Sequence, residues 1–214
     1  MKKCVLMLCL LAATTVAAQT ASDVVTVGTV SVASAGSTVD VPVYIRDTSG
    51  TPLGIDQPFG SRIQSYSLTV NYAPASAVQS VTFTRGGITV PLTPTFESSP
   101  SAAGTISLID VFQESTNLIP FTSNAPLPGN QVGTLHVTIA PTATVGSIIT
   151  LTLDPTLTQL SNQAGTTSET VALNTLTLVS GAIAVTTSVP ALSAWALALL
   201  AIVVAAVGAI ALRH

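Results

Sequence analysis

Chemistry at a protein surface needs groups that titrate, ligate or attack, and this sequence offers few of them. Six Lys or Arg and nine Asp or Glu make up 7% of its 214 residues, where an ordinary globular domain carries about 25%. That excludes a basic nucleic-acid binder, a polyelectrolyte tail and a charge-rich coiled coil. His136 is the only histidine besides the terminal His214, and the only cysteines, Cys4 and Cys9, stand near the start. One histidine without a cysteine cannot build a histidine-rich zinc site. A Ser/His/Asp triad around it needs partners that no motif marks. Glycoside hydrolysis requires two carboxyl groups about 5–10 Å apart; Asp110 with Glu114, or Asp40 with Asp47, are the pairs to consider. The chain contains no Asp-rich calcium loop, phosphate-binding Gly loop or Gly-x-Ser-x-Gly elbow. This scarcity favours binding over catalysis and calls for neither cofactor nor metal.

Sugar recognition needs rings presented on a flat face or in a cleft. The single Trp, Trp195, lies near the C terminus. Tyr66 and Tyr72 fall on the apolar side of an alternating segment, where core packing is expected. Tyr44 on a polar face, and Phe59, Phe96 and Phe121 between strands, are the rings left to be presented. Loop phenylalanines more often close the end of a fold than bind a ligand.

The elements that must position these groups are strands. Val39, Val41, Val43 and Ile45 alternate with Thr38, Asp40, Pro42 and Tyr44; Tyr66, Leu68, Val70 and Tyr72 alternate with Ser65, Ser67, Thr69 and Asn71. Leu135, Val137 and Ile139 alternate with Thr134, His136 and Thr138, and Ile149, Leu151 and Leu153 with Thr150 and Thr152. Period two with a Thr/Ser face is the pattern of half-buried strands. Further strands are predicted near 24–32, 78–84, 105–112, 175–179 and 182–186. Asp47–Ser61, Gly86–Ala103 and Glu114–Asn130 read as long loops. No window shows a sustained 3.6-residue stripe and no crossover helix joins two strands. About nine strands of this kind predict an all-β, antiparallel two-sheet sandwich, jelly-roll-like, over residues 19–187.

The two ends are of another kind. Lys2 and Lys3, the apolar run Cys4 to Ala13 and the small residues before Gln19 have the order of a secretory signal peptide spanning 1–18, with cleavage after Ala18. Ala194 to Leu212 is 19 residues without a charge, about 28 Å as a helix, which matches a bilayer core. Arg213 and His214 after it are expected on the cytoplasmic side. With the ends removed the apolar content of the middle falls to roughly 40%. All nine acids and only three bases, Arg46, Arg62 and Arg85, lie there, and the product after signal cleavage has no cysteine.

Within residues 188–214, Val189, Pro190, Leu192, Ser193 and Trp195 resemble the bacterial C-terminal sorting signal named for its Ile-Pro-Thr-Leu tetrad, with Ala191 standing where that family has Thr. The resemblance implies recognition by a membrane-embedded, sortase-like peptidase of the exosortase group. It also implies passage to the envelope or outer surface of a Gram-negative-type bacterium; retention as a membrane anchor is the alternative.

The middle resembles a cohesin domain. The likeness runs in order through Val24–Val30, the turn and strand Ala35-Gly36-Ser37-Thr38-Val39-Asp40-Val41-Pro42-Val43, Ile63–Pro74, Thr105–Phe112, Gly133–Ile139 and the closing Leu176–Val185. It implies a nine-stranded sandwich that binds a dockerin partner through one sheet. In that family Asn and Asp early in the third strand help hold the partner; Ser65 and Ser67 take those places here. Thr69, Asn71, Thr134, His136 and Thr138 would share the same outward sheet. The function this implies is a non-catalytic, cohesin-like binding module for protein–protein recognition at the cell surface, with a dockerin-like envelope protein as partner; a polysaccharide-binding or biofilm-matrix protein is the alternative.

Overall fold

The computed structural model describes residues 21–33 and 35–186. The signal segment with Ala18, both cysteines, and the tail bearing Val189, Pro190, Leu192, Ser193 and Trp195 lie outside the described residues. Among the described residues no helix is long and apolar enough to cross a membrane. Strands dominate: β1 (Asp23–Val27), β2 (Thr29–Val32), β3 (Thr38–Arg46), β4 (Ser65–Ala73), β5 (Val78–Arg85), β6 (Phe96–Ser98), β7 (Ser101–Ala102), β8 (Thr105–Val111), β9 (Asn130–Ile139), β10 (Ile148–Leu153), β11 (Gln159–Ser161), β12 (Ser168–Glu169), β13 (Leu176–Val179) and β14 (Gly181–Val185).

They form a sandwich. A five-stranded sheet runs β13-β1-β3-β9-β5. In the nine-stranded sheet β4 is central: β8, carrying β6 and β7, lies on one edge, and β10 and β11 follow each other along the other. Beyond β10 come β14 and β2, and beyond β11 comes β12. The alternation seen in the sequence is the alternation of burial: Val41, Val43 and Ile45 of β3 and Leu135, Val137 and Ile139 of β9 face Tyr66, Leu68, Val70, Leu108 and Leu151 across one core. Each such aliphatic side chain contributes on the order of 1.5–3 kcal/mol by leaving water.

Two features depart from an all-antiparallel sandwich of about nine strands. Segments 24–32 and 175–186 each divide in two and change sheet, at Gly28 and at Ser180. As a result β1 runs parallel to β13 in one sheet while β2 runs parallel to β14 in the other. A Cβ on Gly181 would stand 2.1 Å from the Gly28 carbonyl oxygen, so the two crossings pass each other only because the second begins with glycine. Period-two patterning carries no information on strand direction, which is why this pairing is invisible in the sequence. The second departure is the break between β10 and β11. There Asp154 Oδ1 accepts from the Thr156 amide at 2.9 Å, the Thr156 hydroxyl at 2.7 Å and the Leu157 amide at 3.1 Å, and pins a turn against β4.

The connections segregate. The ends of β3, β5 and β8 and the start of β4 open into the long loops 47–64, 86–95 and 112–129 at one pole. Turns 35–37, 74–77, 103–104 and 140–147 occupy the opposite pole, together with Thr186, whose amide and hydroxyl both bond the Val32 carbonyl.

Candidate functional site

The residues proposed from the sequence do not share a face. Ser65, Ser67, Thr69 and Asn71 lie on the outer side of the nine-stranded sheet, whereas Thr134 and His136 lie on the outer side of the five-stranded one. The expectation of one common outward sheet is therefore corrected. Alternation says which side of a strand is polar, but β9 is placed by its partners β3 and β5, and those pairings are long-range.

On the nine-stranded face, Ser67 donates to the Leu157 carbonyl at 3.0 Å and Asn71 to Asp154 Oδ2 at 3.3 Å. Thr69 is only 3% exposed: the turn at 154–158 covers it, and its hydroxyl meets that of Ser107 at 2.8 Å. It is unavailable to a partner. Register sets Val111 beside Ser65 and Phe96, and Ile109 beside Ser67 and Ser98. A short apolar strip of Phe96, Val111 and Ile109 therefore runs beside the serines, with Phe96 53% exposed. Asp154, at the rim, is held below the usual carboxylate range by the Thr156 hydroxyl and amide.

The five-stranded face holds a hydrogen-bonded trio. His136 Nδ1 stands 2.7 Å from Asp40 Oδ1 and its Nε2 stands 3.0 Å from Thr84 Oγ1. The order hydroxyl, imidazole, carboxylate is that of a nucleophilic triad. Its setting is not, because Asp40 and His136 are 65% and 37% exposed on an open sheet and the β9 backbone is paired on both edges. Oxyanion stabilisation requires donors aimed into a water-excluded site. The trio is a surface network that orients the ring.

The loop pole gathers carboxyl groups. Asp23, Asp47, Asp110 and Glu169 are fully buried and Glu114 nearly so. Asp23 Oδ1 accepts from the Thr48 amide at 2.7 Å and Glu169 Oε1 from the Leu53 amide at 2.8 Å, while Asp23 Oδ2 and Glu169 Oε2 lack a donor. Burial, then the hydrogen bond and charge of Glu169, push Asp23 up to about 9. Burial also raises Glu169, against the pull of its bond from Asp23. Two buried carboxyl groups so close favour a single shared proton, with Asp23 as the group that keeps it and Glu169 as its acceptor. Burial raises Asp47 as well, and takes Asp110 to about 6 with Tyr66 and Arg85 drawing it partly back. Of the carboxylate pairs considered from spacing, Asp40 and Asp47 stand apart: Asp40 is exposed on a sheet face while Asp47 is buried at the loop pole. Among the described residues no group of three or more His, Cys, Asp or Glu is placed to hold a metal ion.

Comparison with solved structures decides the architecture. The third cohesin of ScaC, solved with the ScaB dockerin from Acetivibrio cellulolyticus, superposes with a TM-score of 0.55 at 18% identity over 77% of this chain and 99% of that one. The domain has a cohesin-like fold. The OlpA cohesin of a Clostridium thermocellum type I cohesin–dockerin complex superposes at 0.53, with 13% identity over 77% of this chain and 99% of that one. CaCohA2 of Clostridium acetobutylicum gives 0.51, with 22% identity over 80% and 95%. Residues 187–214 match the model of the IPTL-CTERM motif, consistent with an exported or surface protein. No curated protein matches the sequence.

The cohesin-like domain also contains functional candidates that sequence reasoning passed over. Ile109 and Val111 carried a signal: they are apolar on the side of the strand that also holds Thr105 and Ser107, where a half-buried strand should stay polar. The Asp23–Glu169 pair carried none, since 146 positions separate its members. Of the loop phenylalanines, Phe121 is buried as a plug, whereas Phe59 and Phe96 stand exposed.

Proposed function

We propose that this chain is an exported cell-envelope protein whose cohesin-like domain is a non-catalytic module for recognising a protein partner. The observation that carries this reading is the outer face of the nine-stranded sheet. There the Phe96, Val111 and Ile109 strip is bordered by Ser65, Ser67 and Ser98 hydroxyls, the mixture of apolar centre and hydrogen-bonding rim found at protein interfaces. Two of the similar cohesins were solved with dockerins, which supports a dockerin-like partner here. Serine reaches less far than the family's Asn or Asp, so the apolar strip supplies the contact area and the hydroxyls its register. His136 and Thr134, on the other sheet, take no part in this contact.

Titration calorimetry of the domain with dockerin-type modules encoded in the same genome tests the proposal. Binding is expected, and Ile109→Arg should weaken it by at least about tenfold with an unchanged melting temperature. Flat titrations, or equal affinity in the Ile109→Arg variant, would overturn it.

The tail serves export and sorting in this proposal. A sortase-like membrane peptidase acts on the segment holding Val189, Pro190, Leu192, Ser193 and Trp195, after signal cleavage behind Ala18. Mass spectrometry of the surface protein should find Arg213 and His214 gone; an intact C terminus would assign the tail to anchoring.

A further inference from the structure

At the loop pole a cleft of about 200 Å³ opens between three loops, lined by Phe59, Gly60, Glu114, Gln163 and Ala164. Its walls are tied together before any ligand arrives. The Gly60 amide donates to Glu114 Oε2 at 2.9 Å, Asn162 donates to the Gly60 carbonyl at 2.8 Å, and the Glu114 amide donates to Gln163 Oε1 at 2.8 Å. A site held in this way loses little conformational freedom on binding. One wall is the Phe59 ring, 70% exposed although apolar. Another is Gln163, whose carbonyl oxygen is engaged by the Glu114 amide while its amide NH₂ remains for a ligand.

The charge in the cleft is already compensated. Glu114 is 2% exposed at its side chain, and its Oε1, buried without a hydrogen-bond donor, faces Arg62 Nε in an ion pair at 3.7 Å. The carboxylate is withdrawn from the cleft surface beside its own cation, so the open groups are an aromatic face and an amide donor. An uncharged ring with one C–H face and a rim of hydroxyls meets both, the face packing on Phe59 and a hydroxyl accepting from Gln163. We infer that this cleft is a binding site for a neutral sugar residue, separate from the sheet face proposed for the protein partner. A cleft of this size takes one ring, so the ligand is the end or a single exposed unit of a glycan chain, held weakly and made useful by many copies along a matrix.

The test is a titration of the isotope-labelled domain with neutral glucose-, xylose-, mannose- and galactose-based hexasaccharides at up to about 10 mM, followed by amide NMR. Shifts are expected at Phe59, Gly60, Glu114, Gln163 and Ala164. Phe59→Ala should weaken binding by about tenfold or more, Gln163→Ala should weaken it too, and Phe96→Ala, which removes another exposed ring on the sheet face, should leave sugar binding unchanged. Spermidine, as a cationic probe, should produce no shift at these residues. The inference is overturned if no hexasaccharide perturbs them, if Phe59→Ala binds like the parent, or if spermidine is what binds. A dockerin titration unaffected by Phe59→Ala keeps the two sites distinguishable.

Discussion

The Asp23–Glu169 pair makes proton uptake part of folding. The unfolded value for Asp23 is 3.8 and its folded value is about 9, so between these limits the folded chain holds a proton that the unfolded chain releases. Stability from this group is fully present below about pH 4 and is lost as pH rises towards 9. Asp47, Asp110 and Glu169 are shifted the same way, so the melting temperature should fall steadily from pH 5 to pH 9. In Asp23→Asn the amide can donate to Glu169 at every pH while its oxygen still accepts from Thr48. That variant should lose much of the slope and melt higher than the parent at pH 9, and a slope as steep as the parent's would rule out the shared proton. A second residue-scale prediction concerns Gly181. Its added methyl in Gly181→Ala would collide with the Gly28 carbonyl, and overpacking of this kind costs about 1–3 kcal/mol. Urea unfolding should show the loss; a neutral result would mean that the crossing shifts freely.

At the scale of elements, the break between β10 and β11 matters most, because the turn it creates covers Thr69 and shapes the middle of the recognition face. Asp154→Ala removes three bonds from that turn. Amide exchange at Leu157, and at Thr69, whose amide donates to Thr158 Oγ1 at 3.3 Å, should quicken while exchange in β9 stays slow. Unchanged exchange would show that packing alone holds the turn. The elements also mark how far the sequence could be read. The long strands were legible because one face of each is buried, so Val41, Val43 and Ile45 declare β3 by themselves. β6, β7, β11 and β12 were not, since two or three residues cannot display a period. The candidate site was half legible for a related reason. Ser65, Ser67 and Asn71 point outward as alternation requires, but their separation from Thr134 and His136 depends on which strands pair, and the pairings of β9 join residues from 48 (Arg85 with Gly133) to 100 (Thr38 with Thr138) positions apart.

For the molecule as a whole, the two poles differ in chemistry as well as in shape. Arg46, Arg62 and Arg85 lie at or beside the loop pole with Asp47, Asp56 and Glu114, whereas the turns 35–37, 74–77, 103–104 and 140–147 contain no charged residue. The described chain leaves from this uncharged pole, at Thr186, and enters at the other, ahead of Asp23. Any tether acting through the tail therefore leaves the sugar cleft and its loops at the far end. The paired sheet crossings give this arrangement a mechanical consequence. Tension between the two termini pulls β1 against the parallel β13 and β14 against the parallel β2, along the strands rather than across them. Ladder bonds loaded in that direction must fail together instead of opening one by one. Single-molecule stretching between Ala21 and Thr186 should meet a high force peak, lowered in Gly181→Ala, and a featureless extension would refute it. A surface protein built on these crossings would be a shear-resistant link, stiffest along the axis on which a moving cell or flowing medium would pull.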